Sequence, residues 1–213
     1  MYLPSHFNVT DVATLHALIR ERPLATLVTL GSGGLEANHI PFVLDSSAVP
    51  FGVLRGHVAR ANPLWRECAP DAEVLAIFHG PESYISPSWY ASKADTGRVV
   101  PTWNYATVHA HGRLRVVEDA AWLRAQLEAL TGHNEQRFAS PWRVADAPRD
   151  YTSGLVKAIV GIEIPIARLE GKWKVSQNQP SPNFASVIEG LRADGDNAMA
   201  DLVAERAPPR SRG

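Results

Sequence analysis

The sequence predicts a mainly β protein, an antiparallel barrel or roll with helices added at its periphery. Three observations carry this. Strand-like segments follow one another with turns, not regular helices, between them. The segment 103–117 alternates, with residues at even positions small or apolar apart from Asn104 and aromatic or polar ones at the odd positions from 103 to 115. The chain has 213 residues, 45% hydrophobic and 20% charged, which suits one compact domain and neither a disordered nor a fibrous chain. That domain is expected over 1–192, followed by a terminal helix and tail over 193–213.

Taken in order, a helix is expected over 11–22, with Asp11 placed to cap it and Val12, Leu15, Leu18 and Ile19 at helical spacing. Pro23 ends it. Leu24 to Leu30 is rich in Val, Leu and Thr and reads as a strand, and Gly31-Ser32-Gly33-Gly34 is a turn into a returning strand, Leu35 to Leu44. Pro41 lacks an N–H and marks an edge or a bulge there. A turn over 45–49 leads to a third strand over 50–58. A short helical connection is expected over 60–69, a buried strand over 72–78, and an irregular stretch over 81–98. In the long strand 103–117, Ala106, Val108 and Ala110 face a core, and Trp103, Tyr105, His109 and Arg113 face a ligand or a partner. Asp119 caps a helix carrying Trp122, Leu123, Leu127 and Leu130. A short helix or turn over 148–158, a strand over 159–169 and helices over 183–192 and 197–206 complete the reading. The Pro- and Arg-rich tail, 207–213, is expected to fray.

Several function classes fall away. Lys plus Arg is 21 and Asp plus Glu is 22, a net charge of −1, so no global field attracts nucleic acid. Cys68 is the one cysteine, which excludes an internal disulfide and a multi-cysteine metal cage. His109 and His111 share a strand face, yet no acidic third ligand is close in sequence, and no metal is expected. The start has no basic region followed by an apolar one, and no apolar run nears the ~20 residues that cross a bilayer. A cytoplasmic location without membrane contact is the expectation. Gly-x-Gly-x-x-Gly, the Walker loop and the Gly-x-Ser-x-Gly elbow are all missing from the sequence.

Four stretches carry chemistry. Arg55-Gly56-His57-Val58-Ala59-Arg60 gathers cationic donors around a glycine, which suits a phosphate or a solvated turn. Ser86-Pro87-Ser88-Trp89-Tyr90 and Val100-Pro101-Thr102-Trp103-Asn104-Tyr105 each set an indole behind a proline. Asn104 can donate and accept, which fits the edge of a heteroaromatic ring. Gly171-Lys172-Trp173-Lys174-Val175-Ser176-Gln177-Asn178 joins an indole to two lysines and amides, where a lysine can compensate a ring carbonyl or a phosphate.

With Met1-Tyr2-x-Pro4-x-His6-Phe7 and Ala37-Asn38-His39-Ile40-Pro41-Phe42, these motifs, in this order, resemble the PaiB family of FMN-binding negative transcriptional regulators. The resemblance runs from the N-terminus to about Leu191. It implies a pyridoxamine-phosphate-oxidase-like, FMN-binding antiparallel split barrel with peripheral and C-terminal helices. It also implies a homodimer with FMN at the subunit interface. By that analogy Asn38, His39 and Ile40 border the flavin ring, and Arg55, Gly56, His57 and Arg60 hold ribityl and phosphate groups. Trp103, Asn104 and Tyr105, with Lys172, Trp173 and Gln177, approach from either subunit. Asn183 stands where the family leads one to expect an acidic residue. Regulation of transcription is what the family implies. Direct DNA contact has little support in charge, Arg113 and Arg115 being the one candidate patch. Rival readings on the same barrel are a flavin reductase or oxidase and a haem-binding protein.

Overall fold

The computed structural model describes residues 1–47, 50–68 and 72–206. After a 3-10 turn at Ser5–Phe7 come β1 (Asn8–Val9), α1 (Val12–Glu21), β2 (Leu24–Gly31) and β3 (Gly34–Pro41). Next are β4 (Val43–Asp45), β5 (Val53–Ala59), α2 (Leu64–Glu67), β6 (Glu73–Ile85), a 3-10 turn at Pro87–Trp89 and α3 (Lys93–Thr96). The chain continues through β7 (Thr102–Arg113), β8 (Arg115–Val117), α4 (Ala120–Glu135), α5 (Arg149–Lys157) and β9 (Ile159–Lys174) to α6 (Ser181–Ala193) and α7 (Asn197–Glu205). Among the described residues the sheet has nine strands, in the order β3-β2-β6-β7-β9-β5-β4, with β1 and β8 also paired to β9. The tail 207–213 and parts of the expected turn 45–49 and connection 60–69 lie outside the described residues.

Two compact units interleave along the chain. The first comprises Met1–Asp11, His79–Val108 and Glu170–Gly213, and the second Val12–Phe78 and His109–Leu169. In the second unit β2 pairs antiparallel with β3, Thr26 opposite His39, and with β6, Leu27 opposite Ala76. β9 pairs antiparallel with β5, Gly56 opposite Ile162, and with β8, Val116 opposite Ile162. Residues 161–163 are therefore paired on both edges. Leu54 and Val58 of β5 and Val160, Ile162 and Ile164 of β9 are buried, as period two requires. In the first unit β1 pairs with the end of β9, and α6 packs on α7 through buried Val187, Leu191, Met199 and Val203.

The differences from the sequence reading have local causes. The strand expected over 35–44 breaks at Phe42, whose N–H donates to Pro23 O at 2.9 Å while β4 turns to pair with β5. Pro41 has no N–H to carry the first ladder onward. The long strand 103–117 breaks at Leu114 into β7 and β8. Asn104, Ala106, Val108 and Ala110 are buried as expected, yet Thr107 and His111 of the polar face are buried too, and Val116 is exposed. β6 runs on through Gly80-Pro81 to Ile85, where breaker residues suggested an irregular stretch. β9 extends five residues past Leu169, to Lys174. The Asp119 cap is present, its carboxylate accepting from Trp122 N–H at 2.7 Å.

Candidate functional site

The candidate residues fall into two clusters, one in each unit. In the second unit β5 buries Leu54, Gly56 and Val58 and turns Arg55 and His57 to the side where α4 packs. Arg55 is held by two carboxylates, Nε to Glu163 at 3.0 Å and Nη2 to Asp45 at 3.1 Å. The same Glu163 oxygen accepts from the Trp122 indole at 3.1 Å. Hydrogen bonds from Ser47, with help from Arg55, hold the Asp45 carboxyl below its ordinary range. His57 Nδ1 lies 2.8 Å from Oε1 of buried Gln126. Arg60 spans Glu118 at 2.5 Å and the carbonyls of Lys157 and Ile159. Gly56 makes room for Phe42, since a Cβ there would stand 3.0 Å from the Phe42 ring. On β3, Asn38 accepts from Asn62 at 2.9 Å and donates to Glu36, His39 is exposed and Ile40 is buried. Asn62 in turn accepts from Leu64 N–H at the start of α2. The donors around Arg55 and Arg60 thus already have internal partners.

In the first unit the residues converge on a hollow of about 150 Å³ lined by Tyr90, Thr102, Asn104, Lys174, Ser176 and neighbours. Asn104 is 1% exposed, and its amide donates to Ser176 Oγ at 2.9 Å. Its Oδ1 and the Tyr90 hydroxyl are buried without a hydrogen-bond partner. Such orphans are uncommon and call for an explanation. Ser176 has φ +69°, a left-handed conformation unfavourable to a residue with a Cβ. Gln177 clamps this turn, Oε1 accepting from Val175 N–H at 2.8 Å and Nε2 donating to Trp173 O at 2.6 Å. Trp173 is itself buried in the core, whereas Trp103 is 56% exposed, with Tyr84 edge-on at 6.0 Å. The Lys172 ammonium donates to Tyr2 O and lies 5.4 Å from the centre of the Tyr105 ring. Asn183 accepts from Ser92 N–H and donates to Ser92 Oγ and Gln179 Oε1.

Lys174 Nζ donates to Thr102 Oγ1 and Trp103 O. Burial, reinforced by Lys172, holds it below the ordinary lysine value of 10.5. The unfolded chain therefore binds more protons between the folded value and 10.5, and stability rises with pH across that window. Compared with Lys174→Met, the wild type is expected to gain in relative stability from neutral pH to pH 10.5, measured by urea denaturation. A pH-independent difference would show that the ammonium is not desolvated.

The motif resemblance has a direct test in known proteins. A family model described as "Putative FMN-binding domain" matches residues 1–168. The chain belongs to this FMN-binding family. FMN is accordingly its cofactor. The protease synthase and sporulation protein PAI 2 of Bacillus subtilis is 33% identical over 208 residues, covering 96% of this chain and 95% of its own. The uncharacterized protein AN0679 of Emericella nidulans is 36% identical over 244 residues, with 97% of each chain covered. The FAD and heme binding protein from Mycobacterium smegmatis matches with TM-score 0.56 at 19% identity, over 78% of this chain and 73% of that one, a likeness of fold. The fold is the antiparallel split barrel that the resemblance implied. No helix among the described residues is long and apolar enough to cross a membrane.

The residues of the first unit fit a flavin. Tyr90 and Asn104, whose hydroxyl and Oδ1 are buried without partners, line a hollow together with Lys174, and the Trp103 indole stands exposed on β7 next to Thr102 of that lining. Tyr90, Lys174 and Ser176 were not among the binding residues read from the sequence. Lys174 shares a strand face with Lys172, a period-two signal that pointed to it. Nothing in the sequence marks Ser176, since a left-handed turn is ordinarily read from Gly, Asn or Asp.

Proposed function

We propose that this chain is an FMN-binding regulatory protein that works as a homodimer and serves in negative control of transcription. The observation that carries the flavin reading is the pair of partnerless buried atoms, Tyr90 OH and Asn104 Oδ1, at a hollow beside Lys174. Bound FMN supplies hydride and one-electron chemistry. Trp103 offers its exposed face to the ring, Asn104 meets a ring edge, and Tyr105 and Lys172 approach beside them. Trp173 and Gln177 act from behind, by packing and by clamping the Ser176 turn. Asn38, His39 and Ile40 meet the ring from β3. Arg55, Gly56, His57 and Arg60 serve the ribityl phosphate, for which Arg55 and Arg60 exchange a carboxylate partner for the phosphate. β3 ends the strand order, and Leu24, Leu30 and Leu35 on this hairpin are exposed, which supports a second copy covering it. The regulatory part rests on the resemblance of the ordered motifs to the PaiB family. The Arg113 and Arg115 surface also includes Glu73, a mixed charge that gives direct DNA contact little support.

Purified protein is expected to be yellow, dimeric by light scattering, and to release FMN on denaturation. Trp103→Ala should weaken FMN binding roughly tenfold, in line with loss of an aromatic contact of about 0.5–1.5 kcal/mol together with buried area. A colourless protein that ignores added FMN ends the flavin reading. Bleaching of the flavin by NADH or NADPH in stopped flow would move the assignment to a reductase. Unchanged transcript levels in a strain lacking the gene would end the regulatory one.

A further inference from the structure

We propose that the hollow lined by Tyr90, Thr102, Asn104, Lys174 and Ser176 is a subsite for an imide edge, the carbonyl, N–H, carbonyl face of a planar ring. The flavin source of that edge rests on the FMN reading above, because the pyrimidine end of a flavin carries one. The size of the hollow sets the first limit. About 150 Å³ admits one six-membered ring, not a tricycle. Its chemistry sets the second. Asn104 Oδ1 is a partnerless acceptor, and the Tyr90 hydroxyl is a partnerless group that can donate. Burial pushes the Tyr90 phenol up, so it keeps its proton. Lys174 has three N–H donors, of which Thr102 and Trp103 O take two. One acceptor with two donors is the complement of an edge with one donor and two acceptors. A carboxylate would set its lone pairs against Asn104 Oδ1, and a guanidinium would set its charge against Lys174.

The surrounding structure fixes the acceptor. Gln177 clamps the left-handed turn at Ser176, and Ser176 Oγ accepts the Asn104 amide at 2.9 Å. With its nitrogen engaged there, Asn104 keeps its oxygen for the ligand. The left-handed Ser176 is thereby accounted for as a positioning residue.

The test uses the full chain stripped of FMN, with folding checked by circular dichroism. FMN is titrated in parallel with 3-methyl-FMN, in which a methyl group replaces the imide hydrogen. The analogue is expected to bind about tenfold weaker or worse, the loss of one buried hydrogen bond and its space. Asn104→Ala should abolish the difference by weakening FMN alone. Tyr90→Phe keeps the packed ring and should weaken FMN several-fold, which preserves the test if Asn104→Ala does not fold. A second arm titrates uracil into the FMN-loaded protein. Equal binding of the two flavins, with saturable uracil binding that Asn104→Ala removes, supports the subsite with a separate imide as its ligand. Equal binding of the two flavins with no uracil binding overturns the subsite and leaves the FMN reading standing. Failure to bind FMN at all overturns the FMN reading, and uracil binding to the same protein then decides the subsite alone.

Discussion

Alanine at Gly112 is expected to destabilise the protein by about 3 kcal/mol, at the upper end of overpacking effects. Gly112 lies near the end of β7, and a Cβ there would stand 2.3 Å from Pro165 O and 2.8 Å from an Ile164 methyl. The first obstacle is backbone of β9, paired to β5 at that point, so it cannot swing aside as a side chain would. Relief requires β7 and β9 to part, which loosens the buried Ala110 and Ile164. Gly132→Ala is the control. Nothing lies within 4 Å of a Cβ at that site in α4, and the change should be neutral or stabilising by up to about 1 kcal/mol. Urea denaturation of both variants measures this. A Gly112→Ala protein within about 0.5 kcal/mol of wild type would mean that the two strands are not in close contact.

Phe42→Ala is expected to cost about 3–5 kcal/mol. Phe42 is 1% exposed, sits edge-on to Phe78 with ring centres 6.4 Å apart, and fills the space over Gly56. Truncation leaves a cavity beneath the strand that bears Arg55 and His57. A double-mutant cycle adds a sharper reading. Gly56→Ala alone should destabilise by about 1–3 kcal/mol, because the new methyl meets the ring. In the Phe42→Ala background it should cost much less, since the ring is gone, giving a coupling of about 0.5–3 kcal/mol. Strictly additive losses would disprove the contact.

Fold and site were unequally legible in the sequence. The buried row Asn104, Ala106, Val108, Ala110 and the Asp119 cap follow from short-range pattern, and both are present. The six ordered motifs pointed to the family because they lie along most of the chain. The partners of Arg55 were not legible. Asp45 and Glu163 reach it only through strand pairing, and Glu163 is 108 residues away in sequence. Nor was it legible that the Phe42 ring lies where a Cβ on Gly56 would stand. Trp103 and Trp173 both read as indoles approaching the ligand, and strand register leaves the first exposed and the second buried. The Ser176 turn depends on a clamp by Gln177 that no propensity describes.

One residue, Phe42, separates the β2–β3 ladder from the β4–β5 ladder. The chain changes partners there with no loop to absorb a change in length. Adding or deleting a single residue between 41 and 43 would turn one flanking strand over, exchanging its inner and outer side chains. Homologues should therefore vary in length elsewhere, as at the hairpin tip between Gly31 and Gly34, and a library of insertions across the gene should find this junction among its least forgiving positions.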